Sequence, residues 1–318
     1  MPNARPNAGP NARPAGPALE RSFGDQAVAP DERRARIRRV FEAVAPRYDL
    51  MNDLMSFGIH RLWKRTLARR VEGLIADSAA AAGSRMAAAA AGAGARDGAA
   101  TPVVVDLAGG TGDVARLLVG AGREVIVCDP SPAMMARGAR RAGLAGVRWV
   151  EGEAERLPFD DASVDLLVVS FGLRNATDPK RALAEIRRVL KPGAGFACLE
   201  FSRPAAWFAP AYDLYSRWVI PALGAAVAGA PEAYRYLVES IRRFPDQAEF
   251  GRWLREAGFD AVRWENLSFG IACVHLAQRP LAAATSGAAS TGGETTGAAS
   301  TGTNANTTGA KATGVITR

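Results

Sequence analysis

Val103-Val104-Val105-Asp106-Leu107-Ala108-Gly109-Gly110-Thr111-Gly112-Asp113 is the stretch whose reading decides the fold. Three successive valines suit a strand buried on both faces, as a parallel sheet requires. The glycines after them let the chain turn sharply into a helix and lie against a ligand that a Cβ would exclude. Downstream, short β-branched runs at 124–129, 147–151, 164–170 and 195–201 alternate with helical stretches at 113–120, 131–142 and 179–190. Such alternation predicts parallel strands joined by crossover helices. Lys191-Pro192-Gly193 reads as the stop of the last helix followed by a turn.

After Phe201 the order changes. Helical stretches at 205–227, 231–244 and 246–257 precede strands at 261–267 and 271–277, which only Ser268-Phe269-Gly270 separates. So short a connection makes that pair antiparallel. The expected fold is α/β and Rossmann-like: a seven-stranded, mostly parallel sheet ending in an antiparallel strand pair, preceded by N-terminal helices. By fold-level analogy this is the layout of class I methyltransferases.

The rest of the 318 residues divides by composition. Residues 1–30 open with the near-repeat Asn3-Ala4-Arg5-Pro6, Asn7-Ala8-Gly9-Pro10, Asn11-Ala12-Arg13-Pro14, and residues 283–318 repeat Gly-Ala-Ala-Ser-Thr-Gly from Gly287 and Gly297. Neither end has the apolar content to offset its ordering entropy, so both are expected to be disordered. The Ala-rich stretch 76–100 has scattered glycines and no apolar periodicity, and is expected to be a flexible insert. One domain, 31–282, remains.

The net charge is +8, concentrated by arginines at 31–39 and 60–70. Either nucleic acid or an anionic membrane could exploit it, but no basic patch interleaved with aromatics argues for nucleic acid. The longest strongly apolar run, 218–230, contains Pro221 and falls short of the ~20 residues that span a bilayer. With no apolar signal segment, the expected location is the cytoplasm, with peripheral docking on the inner face of a cytoplasmic membrane. Cys128, Cys198 and Cys273 sit in apolar strands without metal-ligand spacing, so reduced thiols and no metal are expected.

The cofactor reading rests on acidic strand ends. Asp106 and Asp113 bracket the glycine loop, where they could answer the cationic end of S-adenosyl-L-methionine; a phosphate-binding loop would have no use for them. Asp129 ends the second strand, where a carboxylate can accept from both ribose hydroxyls. Glu153, beyond the third, is offered to the adenine amino group, and Ser170 ends the fourth. Taken alone, Gly110-x-Gly112-x-x-Ala115 also fits a relaxed dinucleotide fingerprint, so a nicotinamide oxidoreductase stays open on that loop. Asp129 taken singly could be a strand-terminal cap. A nucleic-acid methyltransferase and a non-catalytic scaffold are the other readings.

Longer strings carry a resemblance. Val40-Phe41 and Tyr48-Asp49-Leu50-Met51-Asn52-Asp53-Leu54-Met55-Ser56-Phe57-Gly58-Ile59-His60-Arg61-Leu62-Trp63-Lys64-Arg65 resemble the N-terminal signature of the ubiquinone/menaquinone biosynthesis C-methyltransferases. Phe171-Gly172-Leu173-Arg174-Asn175 resembles their second signature. Tyr234-Arg235-Tyr236-Leu237-Val238-Glu239-Ser240-Ile241 with Phe244-Pro245-Asp246-Gln247 resembles a third, and Gly270-Ile271 with His275 completes the match over roughly 39–277.

The resemblance implies a cofactor site at Thr111, Asp129, Glu153, Ala154 and Ser170, to which the loop adds Gly110 and Asp106. That family commonly has asparagine where this chain has Glu153, a carboxylate that can accept from adenine's amino group but cannot donate. The implied substrate is a polyprenylated quinol methylated on a ring carbon: demethylmenaquinol, 2-polyprenyl-6-methoxy-1,4-benzoquinol, or both. Partnership in a homodimer or a quinone-biosynthesis complex is compatible with it.

A phenol with pKa ~10 is ionised in about one part in a thousand at pH 7, and lowering that pKa by two units would be worth roughly 2.7 kcal/mol. Arg174, just after the fourth strand, is the candidate to stabilise the phenolate; the alternative is a salt bridge to Asp178. Asn175 would orient the second quinol oxygen, and Tyr48, Asn52 and His60 would close the pocket. His60 reads as a structural hydrogen-bond partner and not as a base. Trp207, Phe208, Trp218, Val219, Ile220 and Leu223 either line a channel for the isoprenoid tail or simply pack helices on the sheet.

Overall fold

The computed structural model describes residues 21–23, 26–44, 48–90, 101–120, 122–223 and 231–281. Seven strands form one sheet: β1 (Val103–Leu107), β2 (Glu124–Asp129), β3 (Arg148–Glu151), β4 (Val164–Ser170), β5 (Leu190–Phe201), β6 (Asp260–Leu267) and β7 (Ala272–Gln278). Their order across the sheet is 3-2-1-4-5-7-6. Strands 1 to 5 run parallel, β7 pairs antiparallel with β5, and β6 antiparallel with β7.

Helices α1 (Pro30–Val44), α2 (Tyr48–Ser56) and α3 (Ile59–Ala90) precede the sheet. Short α4 (Ala115–Leu118), α5 (Pro132–Gly138) and α6 (Pro179–Val189) follow β1, β2 and β4. Between β5 and β6 lie α7 (Ala209–Leu214), a π turn (Tyr215–Val219), α8 (Ile220–Leu223), α9 (Pro231–Arg243) and α10 (Gln247–Glu256).

Strand alternation divides the core into two layers. Val105, Leu107, Ile126 and Leu167 face one cluster with Leu183 and Ile186 of α6 and Phe250 and Leu254 of α10. Val104, Val125, Val127 and Leu166 face the other, with Leu67, Val71 and Leu74 of α3 and Leu118 of α4. Each of these fully buried aliphatic side chains stabilises the sheet by about 1.5–3 kcal/mol. From β1 the chain builds outward through β2 to β3, then crosses back to place β4 on the other side of β1, so the crevice beyond the carboxyl ends of β1 and β4 is the topological switch point.

Three sequence expectations change. The Ala-rich stretch does not begin a loop at 76: α3 continues through it to Ala90, as alanine's helix propensity favours; 91–100 lie outside the described residues. The turn at 191–193 is absorbed into β5, which starts at Leu190 and takes a register shift against Val164 and Leu166. The expected N-terminal disordered segment 1–30 is folded over its last part: Ser22–Phe23 pairs with Gln26–Ala27, and the Phe23 ring stacks 4.4 Å from that of Tyr236. Residues 1–20 and 282–318, expected to be disordered, lie outside the described residues.

Candidate active site

The loops after β1 and β4 meet at the switch point. Ala108 and Phe171 both take left-handed backbone conformations, with φ of 52° and 58°, at a cost of about 1–2 kcal/mol each. A Cβ on Gly172 would lie 2.4 Å from that of Ala108, so only glycine lets the two loops abut. Strain of this kind persists where the surrounding structure fixes it and collects at functional sites.

A cavity opens above these loops, lined by Gly110, Asp129, Met134, Glu153, Ala154 and Ser170, with Arg34, Ile37 and Arg38 of α1 on its far side. Asp129 accepts hydrogen bonds from the Gly110 and Ser131 amides at 2.9 and 2.8 Å. Burial pushes its carboxyl up to about 6 while those two amides pull the other way. Ser131 in turn caps α5, ahead of Pro132 at the first helical position.

Asp106 lies beneath the loop, 1 % exposed, and accepts from the Ala115 amide at 2.8 Å. Burial raises its carboxyl to about 7. Its Oδ1 and the Ser170 Oγ are both buried without a partner. Two orphaned polar atoms beside a glycine cradle are what a ligand with a cationic head and many hydrogen-bonding groups would satisfy.

Two acceptors placed by sequence are otherwise engaged. Thr111 is buried and its Oγ1 accepts from Arg141 at 2.8 Å, so its side chain does not line the cavity. Asp113 pairs with Lys64 at 2.7 Å and Arg141 at 2.8 Å. Burial would raise its carboxyl, yet those two cations hold it at about 2. It ties α3 to the glycine loop and has no free charge for a sulfonium.

A second, larger cavity of about 430 Å³ adjoins the first, sharing Phe171 and Asn175 as common wall. Its walls are mostly apolar, from Met55, Trp63, Phe201, Phe208, Tyr215 and Ile220; Arg174, Asn175, Asn52, Ser56, His60 and Lys64 supply polar points. Trp207, Trp218 and Val219, expected along a tail channel, are exposed, and only Phe208 and Ile220 of that set line the cavity. The side chain of Leu223 lies outside the described residues, as does that of Tyr48, whose backbone opens α2.

Arg174 makes its salt bridge with Glu200 at the end of β5, not with Asp178. Asp178 instead caps α6 through the Arg181 amide. Glu200 is 2 % exposed; burial raises its carboxyl although the Arg174 guanidinium works against the shift. Nη1 of Arg174 also donates to the Phe171 carbonyl at 2.5 Å, and the guanidinium lies over the Phe201 ring. Among the described residues no hydrogen-bond partner of its Nη2 is found, and Arg174 lines the larger cavity. The sequence offers either a cation free for a phenolate or a salt bridge to Asp178; the structure presents a pair with Glu200 instead.

Arg33 was not singled out by the sequence, where it stands among four more arginines up to Arg39. Its guanidinium, 2 % exposed, donates to the carbonyls of Arg174, Asn175 and Ala176 at 3.2, 3.0 and 2.8 Å. The Tyr236 hydroxyl donates to Asn175 Oδ1 at 3.2 Å. The loop that joins the two cavities is thus held by α1 on one side and α9 on the other.

With two adjoining cavities on this sheet order, residues 29–279 match the model of the ubiE/COQ5 methyltransferase family. The chain belongs to that family. Among its relatives in the ubiE/COQ5 family is the ubiquinone/menaquinone biosynthesis C-methyltransferase UbiE of Rubrivivax gelatinosus, 58 % identical over 269 residues, covering 85 % of this chain and 97 % of the relative. The mitochondrial 2-methoxy-6-polyprenyl-1,4-benzoquinol methylase of Pongo abelii is 37 % identical over 299 residues, covering 81 % and 84 %. In fold, the chain resembles a putative methyltransferase solved with the Haloferax volcanii Trm112 activator, with a TM-score of 0.50 and 19 % identity over 78 % of this chain and 99 % of that one. This ubiE/COQ5 family member is therefore an S-adenosylmethionine-dependent methyltransferase of class I fold.

Proposed function

We propose that the protein methylates a ring carbon of a polyprenylated hydroquinone, converting demethylmenaquinol to menaquinol, 2-polyprenyl-6-methoxy-1,4-benzoquinol to its 3-methyl product, or both. The observation that carries this reading is the pair of cavities sharing Phe171 and Asn175, one with the carboxylates Asp129, Glu153 and Glu155 on its wall and the other apolar with a few hydrogen-bonding points. The names of the UbiE and benzoquinol methylase relatives agree with it.

S-Adenosyl-L-methionine, held in the cavity above the glycine loop, would supply a methyl group on a positively charged sulfur. Asp129 would take the ribose hydroxyls and Glu153 with Ala154 the adenine; Gly110 and Ser170 would line the remainder, with the orphaned Asp106 carboxyl buried beneath the glycine loop and not on the cavity wall. Thr111 would contribute through its backbone only. In the apolar cavity Nη2 of Arg174 is the donor for a quinol oxygen. Because Glu200 balances its charge, it acts as a directed hydrogen bond more than as a free cation. Asn175, fixed by Tyr236 and Phe171, orients the ring.

The same reading puts the substrate's tail, and with it the protein, at a membrane. No described helix is long and apolar enough to cross one. Phe57, Trp207, Trp218 and Phe269 are 78, 69, 71 and 61 % exposed. Phe57 lines the apolar cavity and the other three flank segments that do. Exposed Trp and Phe are suited to a lipid interface. A homodimer or a quinone-biosynthesis complex would have to leave that face open.

The test is methyl transfer by the purified protein to short-tailed naphthoquinol and benzoquinol acceptors under reducing conditions, with products identified by mass spectrometry. Methylated ring product from either supports the reading; saturable cofactor binding with no ring methylation of either removes it.

A further inference from the structure

The three side chains Asn52, Ser56 and His60 line one wall of the apolar cavity, at the junction of α2 and α3. Ser56 Oγ lies 2.6 Å from the Asn52 carbonyl oxygen and 2.8 Å from His60 Nδ1. A serine hydroxyl has one proton, and a carbonyl has none to give, so the shorter contact requires Ser56 to donate to Asn52. Ser56 can then only accept from the ring, which makes Nδ1 the protonated nitrogen of His60 and leaves a lone pair on Nε2. Asp53 Oδ1, 3.8 Å from Nδ1, favours the same tautomer. Among the described residues no hydrogen-bond partner of Nε2 is found, and His60 lines the cavity.

We propose that His60 is a catalytic residue whose Nε2 accepts the hydrogen of a quinol hydroxyl while the ring carbon is methylated. The proposal rests on the quinol reading above and adds the proton acceptor that reading lacks.

Magnitudes favour the role at one moment of the reaction. Burial, and Lys64 after it, lower the imidazolium to about 4 against Asp53 and Asp113, with Arg61 also lowering it, so the ring is neutral at pH 7. Against a resting phenol at pKa ~10 such a base takes no proton. Once the ring carbon forms its new bond, the hydroxyl becomes that of a protonated dienone, far more acidic than an imidazolium. The O–H bond then breaks toward oxygen, Nε2 gains the proton, and the positive charge leaves the ring. Loss of the ring-carbon hydrogen to water restores the aromatic system, Nε2 returns its proton to oxygen, and one proton is released per methyl.

The chain has only two histidines, so nitrogen NMR reads this site directly, with a His275 variant assigning the other. In free protein at neutral pH the expected signal is the Nδ1–H tautomer, with the Nε2 resonance moving when a hydroquinone is added together with S-adenosylhomocysteine. An Nε2–H tautomer, or an Nε2 unmoved by saturating hydroquinone, overturns the proposal. His60→Asn keeps a donor toward Ser56 and removes the acceptor. It should bind cofactor and unfold like the native protein yet turn over about 10²-fold more slowly, within the usual range for a general base. In His60→Ala, added imidazole should restore turnover, which a purely structural role would not allow. His60→Asn turning over at the native rate on a quinol that the native enzyme methylates sinks this proposal alone; no methylation by the native enzyme sinks the reading beneath it.

Discussion

Nη1 of Arg174 stands 3.1 Å from both carboxylate oxygens of Glu200, with both side chains buried. The pair joins the end of β5 to the loop after β4, and its worth to the fold differs from its worth to the chemistry. Removing one member of a buried pair leaves the other charge uncompensated, at about 3–5 kcal/mol. Arg174→Met should therefore shift the urea midpoint strongly downward and abolish turnover, with the cofactor held nearly as before. Adding Glu200→Gln should return most of the stability and none of the turnover. A double variant that regains both would show that Arg174 serves the fold only.

Asp106 gives a pH signature. Its carboxyl is raised from an ordinary 3.8 to about 7 by burial, so the folded chain keeps a proton that the unfolded chain has released. Its contribution to stability is full below about 4 and is lost as pH rises through about 7. A cationic ligand over the glycine loop favours the ionised form. Calorimetry at about pH 7, in buffers of different ionisation enthalpy, should show proton release on cofactor binding, and affinity should climb from about pH 6 to 8. Asp106→Asn should remove most of both effects, leaving the smaller part near pH 6 that belongs to Asp129; proton release at pH 7 undiminished by this change would locate its source elsewhere.

Arg33 holds three carbonyls in the loop that carries Arg174 and Asn175. Unpaired buried carbonyls cost about 1–3 kcal/mol each, so Arg33→Met should lower stability by about 3 kcal/mol. Amide hydrogen exchange should quicken at 171–177 more than at β1 or β2. Uniform loss of protection across the sheet would mean that α1 supports the whole domain and not this loop.

What the sequence made legible follows from periodicity. The valine-rich runs at 103–107, 124–129 and 164–170 are buried on both faces; the edges of the last two fall where expected, and the first runs one residue past the expected Asp106 to Leu107. Helix ends at 115–118 and 132–138 do not: Val119 turns extended directly after α4, and α5 closes at Ala139, whose amide donates to the Met135 carbonyl. Glu200 was read as part of an apolar strand, although one acid among Phe196-Ala197-Cys198-Leu199 and Phe201 was itself the signal of a buried partner. Arg33 was hidden in a charge run; its spacing of four and seven from Ile37 and Val40, both half-buried, placed it on the inward face. Which of Thr111, Asp113 and Asp106 keeps a free oxygen depended on Arg141 and Lys64, whose approach no local pattern encodes.

The exposed rim beside the apolar cavity predicts a separable lipid-binding step. Trp207 and Trp218 are outside both cavities, so their loss should leave the chemistry intact. Arg61 and Arg65 are exposed on α3, just past Phe57, and Arg217 is exposed beside Trp218; a close arginine is worth about 1 kcal/mol against an anionic bilayer. Arg61 also pairs with Asp53 at 2.6 Å, which reduces its share. Inserting part of one Trp contributes on the order of 1–2 kcal/mol, about tenfold in partitioning. Trp207→Ser with Trp218→Ser should therefore cut sedimentation with phosphatidylglycerol-containing vesicles by roughly a hundredfold in partition coefficient. Turnover of a vesicle-embedded quinol should fall in parallel, while that of a short-tailed soluble quinol should hold. Equal losses on both acceptors would place these tryptophans in catalysis, and unchanged vesicle binding would remove the rim from membrane contact.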